Sequence, residues 1–253
     1  EAAPAPGGST PSLPWTVRIG SVVLTGNRAE YGLLNHRPAA GFDPSFIVLS
    51  TLDLAVDSIY NRGADIALQI RRMAFTERSG LTVSDMTGDI GMDASGISLA
   101  GVTLKTPFSR IEANISAGEG ILALAPDSPL KADLMADVNT KDLKYLYPAL
   151  IPPVLDGRIV SLALTAAGTL GDIGKAGLDI SSPGHVAFTA DGAARNVLDP
   201  GRMEASARFE GDFRDMAFLE ALLPDSALRR RIAIPDRIRL RGTAGADKGA
   251  FSA

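Results

Sequence analysis

The stretch from Glu77 to Leu124, ERSGLTVSDMTGDIGMDASGISLAGVTLKTPFSRIEANISAGEGILAL, decides the fold. Apolar residues recur at every second position, as Leu81 and Val83, Ile90 and Met92, Ile97 and Leu99, and Val102 and Leu104, while Thr82, Ser98 and Thr103 take the alternate places. A period of two puts the first set on one face of a pleated sheet and the second on the other. The spacers Asp93-Ala94-Ser95-Gly96, Thr106-Pro107 and Ala117-Gly118-Glu119-Gly120 are turn formers, because glycine accepts positive φ and proline pre-sets a negative one. Strands joined this tightly are antiparallel neighbours. The apolar phase also slips, from odd positions at Leu81 and Val83 to even ones at Met86 and Ile90, and from Ile97 and Leu99 to Val102 and Leu104. Each slip needs one extra residue, which predicts bulges at Ser84-Asp85 and Ala100-Gly101. A long antiparallel sheet with repeated bulges curls into a trough whose inner face is apolar.

The pattern continues on the N-terminal side. Trp15-Thr16-Val17-Arg18-Ile19 alternates, Gly20-Ser21 breaks the phase before Val22 and Leu24 and so reads as a bulge, and Gly26-Asn27 reads as a turn into a return strand at Arg28–Tyr31. Residues 32–45 read as an irregular loop in which His36, with no acidic or histidine partner beside it, is a solvated side chain. From Phe46 to Tyr60 the even positions Phe46, Val48, Leu52, Leu54 and Val56 are apolar; Asn61-Arg62-Gly63 turns the chain, and Ile66, Leu68 and Ile70 bring it back before a slip at Arg71-Arg72. Asp53 and Asp57 fall on the wet face, where an acid/base pair lacks the pocket that would raise its pKa.

On the C-terminal side Leu130, Ala132, Leu134, Ala136 and Val138 alternate with Lys131, Asp133 and Asp137. Asn139 then offers a helix N-cap, and Leu143, Leu146 and Leu150 repeat at helical spacing until the prolines at 148, 152 and 153. Further strands carry Val160, Leu162 and Leu164, then Leu178 and Ile180, then Val186 and Phe188 after His185, then Met203, Ala205, Ala207 and Phe209. Leu143-Lys-Tyr-Leu146 returns as Met216-Ala-Phe-Leu219, and Leu164–Gly168 as Leu240–Gly245, an echo that fits an array of repeated β units with a second short helix near 215–222.

Composition narrows the function. Gly 26 and Pro 16 together make 42 of 253 residues, above the roughly 12% of average chains, so many turns separate short elements. Hydrophobic residues are 45% but aromatic ones only 6%, which gives an aliphatic wall with few platforms for stacking bases or sugars. A net charge of -4 excludes nucleic acid as the main partner. The absence of cysteine (Cys 0) excludes a disulfide scaffold and thiolate chemistry. No phosphate loop, histidine pair at ligand spacing or nucleophile elbow is present, Gly96–Gly101 missing the last by one residue, so no catalytic residue, cofactor or metal is expected. Arg229-Arg230-Arg231 with Arg237, Arg239 and Arg241 is the one basic concentration; alternation with Ile238 and Leu240 makes it an outer wet face, the alternative being attraction to anionic headgroups. No apolar run reaches the length of a membrane helix.

The run Leu52–Tyr60, the segment Phe75-Thr-Glu-Arg-Ser-Gly-Leu81 and the segment Leu104-Lys-Thr-Pro-Phe-Ser109 resemble the AsmA-like/TamB proteins, particularly those of Bacteroidetes, over residues 15 to 225. The resemblance implies a periplasmic β-groove (a β-taco, or repeating β-groove), anchored in the inner membrane by a helix outside this chain. The roles it implies are phospholipid transfer between the membranes and assembly of outer-membrane proteins, with no catalytic motif. The expected architecture is therefore all-β, a long curled antiparallel sheet of at least ten strands forming an open groove with one or two short helices. Residues 1–14 are expected to be a linker, 15–138 a groove segment and 139–253 further groove repeats, the whole an internal piece of a longer protein. Leu52, Leu54, Val56, Ile66, Leu68, Ile70, Ile97, Leu99, Leu134, Leu162, Leu164, Met203 and Phe209 are the candidates for contact with phospholipid acyl chains. The resemblance also implies an outer-membrane assembly protein as partner, through regions outside this chain; the competing expectations are a scaffold that binds client strands at its sheet edges and, further off, a sugar-binding module or enzyme.

Overall fold

The structure, a computed structural model, describes residues 15–34, 36–94, 96–118, 125–147, 156–215, 235–247 and 250–252. The chain is all-β. Its strands are β1 (Thr16–Gly32), β2 (Phe46–Arg62), β3 (Asp65–Glu77), β4 (Thr82–Asp93), β5 (Gly96–Lys105), β6 (Arg110–Gly118), β7 (Pro129–Asn139), β8 (Ile159–Thr169), β9 (Ile173–Ser182), β10 (Val186–Arg195), β11 (Glu204–Arg214), β12 (Arg237–Asp247) and β13 (Ala250–Ser252), with one helix, α1 (Thr140–Leu146), between β7 and β8. They form a single sheet in strict chain order, every neighbour antiparallel, and among the described residues β1 pairs with β2 alone, so the sheet stays open. An eleven-residue ladder between β7 and β8 carries it unbroken past residue 139.

The predicted bulges are present. Between Val83 and Met86 strand β4 has one residue more than β3, at Ser84-Asp85, and between Leu99 and Val102 strand β5 has one more than β6, at Ala100-Gly101, where Gly101 adopts φ 58°. The slip at Arg71-Arg72 is likewise a register shift. Two readings fail at the N-terminal edge. The Gly26-Asn27 turn with a return strand at 28–31 does not exist: β1 runs straight through to Gly32, and Gly26, at φ 64°, sits in a bulge held by a hydrogen bond from its N–H to Asp53 Oδ1 at 2.9 Å. Glycine marks a bulge as readily as a turn, and only the long partner β2 decides between them. The phase break at Gly20-Ser21 leaves no register shift against β2, because Ser58, opposite Gly20, is itself irregular at φ 54°.

Connections alternate between two rims of the sheet, those after odd-numbered strands on the first rim and those after even-numbered strands on the second. The first rim is the better built. Asn139 caps α1, accepting from Lys141 N at 3.0 Å, and Asp142 accepts from Thr106 Oγ1 and Ser109 Oγ, each at 2.5 Å, tying the helix to the β5–β6 turn. Phe42 N in the β1–β2 connection donates to Leu146 O at 3.2 Å, so this rim is strapped from β2 across to α1. The second helix expected near 215–222, the echo at Met216–Leu219, Leu150 with its neighbouring prolines, and Arg229–Arg231 lie outside the described residues.

Candidate functional site

Directly paired residues of neighbouring strands share a face, so the registers trace rows across the sheet. One row runs Leu24, Leu54, Met73, Met86, Leu104, Ile111, Ala136, Leu162, Ile180, Phe188, Gly211 and Leu240, one residue from each of β1 to β12 and none of them polar. The next row on the same face is Val22, Val56, Ile70 and Gly88, continued by Val102, Ala113, Leu134, Leu164, Leu178, Ala190, Phe209 and Gly242. The join at Gly88 is a packed one: a Cβ there would lie 2.8 Å from Val102 Cγ2. A third row, Leu68, Ile90, Leu99 and Ile115, passes into Ala132, Ala166, Ala176, Gly192, Ala207 and Ala244. Eleven spacings of about 4.8 Å make this apolar face about 50 Å long.

The opposite face is polar. Thr103, Glu112, Met135, Ala163, Asp179, Thr189, Glu210 and Arg241 form one of its rows and Asn114, Asp133, Thr165, Gly177, Asp191, Arg208 and Thr243 another. Alanine reports which face is sheltered, since its methyl cannot cover itself. On the apolar face Ala113, Ala136 and Ala246 are buried and Ala132, Ala166, Ala190, Ala205 and Ala207 half-buried, whereas on the other face Ala67, Ala100, Ala163, Ala167 and Ala187 are exposed and Ala55, Ala74 and Ala193 half-buried. The apolar face is the inside of the curl.

That inside is not a filled core. Among the described residues the buried apolar side chains larger than alanine are Val48, Leu52, Val56, Ile70 and Val83, all on β2 to β4. Further along, the same rows stand open: Leu164 is 37% exposed and Leu240 46%. Of the sequence candidates, Leu54 and Leu162 lie in the first row; Val56, Ile70, Leu134, Leu164 and Phe209 in the second; and Leu68 and Leu99 in the third. Ile66 and Ile97 follow in a fourth row through Met92, and Leu52 joins Leu54's face by alternation. Met203 sits half-buried just before β11, outside the ladders. The aromatic cluster was missed as a unit: Phe188 lies 6.4 Å from Phe209 and 6.3 Å from Phe213, filling the space over Gly211 and Gly242. Its signal was present, since a glycine opposite an aromatic invites the ring to lie over it.

The polar candidates have structural partners. His36 is not simply solvated: its Nε2 donates to Asp43 Oδ2 at 2.7 Å, seven residues on and across the loop. Asp43 is buried and also accepts from Ala39 N at 2.8 Å and Ser45 N at 2.9 Å. Its carboxyl is lowered to about 2, first by the Ala39 N–H and then by His36, against the cost of burial. Asp57 pairs with Arg71 across the β2–β3 ladder. His185 Nδ1 lies 3.3 Å from Asp215 Oδ2 on the first rim. Arg237 and Arg239 alternate with Ile238 on the exposed side of β12; Arg237, together with Arg214, binds Asp212 and holds that carboxyl far below its ordinary range.

No family model, curated protein or solved structure matches this chain. No helix among the described residues is long and apolar enough to cross a membrane.

Proposed function

We propose that the apolar trough holds the acyl chains of phospholipids and that the chain is a non-enzymatic, periplasmic groove segment supporting lipid traffic between two membranes. The observation that carries this reading is the unbroken run of apolar positions across twelve strands on the sheltered face, with no second layer over it among the described residues. A protein that needs only stability covers such a face. About ten methylenes withdrawn from water gain about 8 kcal/mol, enough for micromolar retention before ordering costs. The wall is apolar and continuous, so it takes up chains by length and leaves the headgroup outside. The resemblance to AsmA-like/TamB proteins supports the periplasmic setting and attachment to the inner membrane.

The test uses Leu164→Asp. Leu164 is in the second row but 37% exposed, so a carboxylate there stays hydrated and the fold should survive, while an acyl chain crossing it would meet a charge. Organic extraction and mass spectrometry of the purified protein should find phospholipid on the unsubstituted chain and little on Leu164→Asp, with melting temperatures within a few degrees. A folded variant retaining as much lipid as the parent removes the reading.

A second reading, a scaffold that accepts client strands, is favoured by β1: seventeen residues long, unpaired on its outer edge among the described residues, with Val23 69% exposed. Crosslinking of an unfolded outer-membrane protein to β1, at a rate indifferent to Leu164→Asp, would favour it over the conduit.

A further inference from the structure

We propose that the first rim, from the β1–β2 connection to α1, is a docking surface for an anionic phospholipid bilayer. Large apolar side chains stand out from this rim: Leu33 is 53% exposed, Leu34 96%, Phe108 47%, Tyr145 42% and Tyr147 51%. They form one patch, because the elements that carry them are tied together. Phe42 N bonds Leu146 O at 3.2 Å, and the Tyr145 ring lies over Gly80, whose Cβ position would be 3.0 Å from Tyr145 Cδ1. Lys141 Nζ sits 5.0 Å from the centre of the Phe108 ring. Aromatic and leucine side chains interleaved with cations are what the headgroup region of a membrane accommodates, ring and methyls at the acyl boundary and charge at the phosphates.

Charge gives the occupant its sign. Arg37, Arg78 and Lys141 are exposed on this stretch of rim, and Arg78 spends its guanidinium on the neutral carbonyls of Ala39 and Gly41. The acids that share the stretch point inward: Asp43, Glu77 and Asp142 are each 4% exposed, Asp43 and Asp142 occupied by the loop and turn contacts above and Glu77 accepting from Ser79 N at 2.6 Å. Asp156 faces Lys144 at 2.6 Å. The second rim is the reverse, with Asp65, Asp93, Asp127, Asp172, Glu204 and Asp247 at strand ends and turns, outnumbering Arg62, Arg195 and Arg202. The molecule therefore carries a basic, apolar rim and an acidic one, and in the field of an anionic surface only the first faces it. Docking there does not depend on what the trough holds.

Flotation with vesicles tests this. The chain should float with vesicles of phosphatidylcholine containing about a third phosphatidylglycerol, and binding should fall at least tenfold on pure phosphatidylcholine or in 0.5 M salt, where charges are screened within a few ångströms. Arg37→Glu with Lys141→Glu should reduce binding to the pure phosphatidylcholine level, and Leu34→Ser with Phe108→Ser should remove what salt leaves behind. Arg208→Glu, on the polar face, should float as the parent does, all variants being compared at equal circular dichroism and melting temperature. Leu164→Asp should also float normally, so a failed trough and a failed rim give different results. Flotation unchanged by both rim variants, or lost in Leu164→Asp alone, overturns the proposal. So does capture by polyglutamate without flotation, which would assign the rim to an acidic protein.

Discussion

Gly96 and Gly101 look alike in the sequence, each beside an alternating apolar run, and the structure separates them. Gly96 has φ 135°, and a Cβ there would lie 2.0 Å from Ala117 O, a backbone atom that cannot move without breaking the β5–β6 ladder. Gly101 has φ 58° with nothing within 4 Å of a Cβ. Gly101→Ala should therefore cost about 1 kcal/mol of strain and Gly96→Ala at least about 3 kcal/mol, read from urea midpoints. Asp43 gives a pH test. Its folded carboxyl titrates at about 2 against an ordinary 3.8, so the stability it lends is complete above the ordinary value and is lost as pH falls through the folded one. Exchange of the Ala39 and Ser45 amide protons should accelerate between pH 4 and pH 2 beyond the change seen in the strands, and Asp43→Asn should abolish that difference. Neither the His36–Asp43 pair nor the clash at Gly96 was legible in the sequence, because both depend on where a loop or a neighbouring strand returns.

The strands themselves were legible, and so were several of the bulges. Ser84-Asp85, Ala100-Gly101 and Arg71-Arg72 each shift the apolar phase by one, and a phase shift on a half-buried strand must be absorbed locally or the whole face turns to solvent. Gly26 deceived because both strands of the β1–β2 pair deform near it, leaving no pattern to distinguish a bulge from a reversal. The helix was legible from its cap, though its anchor was not. Asp142→Ala leaves the hydroxyls of Thr106 and Ser109 without their shared acceptor and should destabilise the first rim by about 1–3 kcal/mol. Asn139→Ala should cost about 1 kcal/mol through the lost cap. Trypsin should cut both variants faster near Lys141 and Lys144 while the β9–β12 strands stay resistant.

At the scale of the molecule the sidedness of the sheet was readable from alternation, and the open trough from the bulges and the family resemblance; alternation alone is the same in a filled sandwich and an empty trough. The five larger buried apolar residues on β2 to β4 set a contrast with the rest. Val56 is 6% exposed in the same row as Leu164, so Val56→Asp should unfold the protein at ordinary temperature, whereas Leu164→Asp should not. A trough that is open should also bind anilinonaphthalene sulfonate in the folded state, and a long-chain fatty acid should displace the dye; a native protein that leaves the dye dark would mean that the face is filled.

Strict chain order has a further consequence. Among the described residues each strand pairs only with the strands before and after it, so the molecule can zip up from its first hairpin as the chain is delivered, with no early strand waiting for a late one. It can also change size by whole hairpins. Removing β9 and β10 would bring β8 against β11 with the antiparallel sense kept and the two rims still on their own sides. The sheet would shorten by two spacings, about 10 Å. Distance in such a protein is a count of hairpins, and a lineage that had to bridge a wider gap would need only to duplicate one.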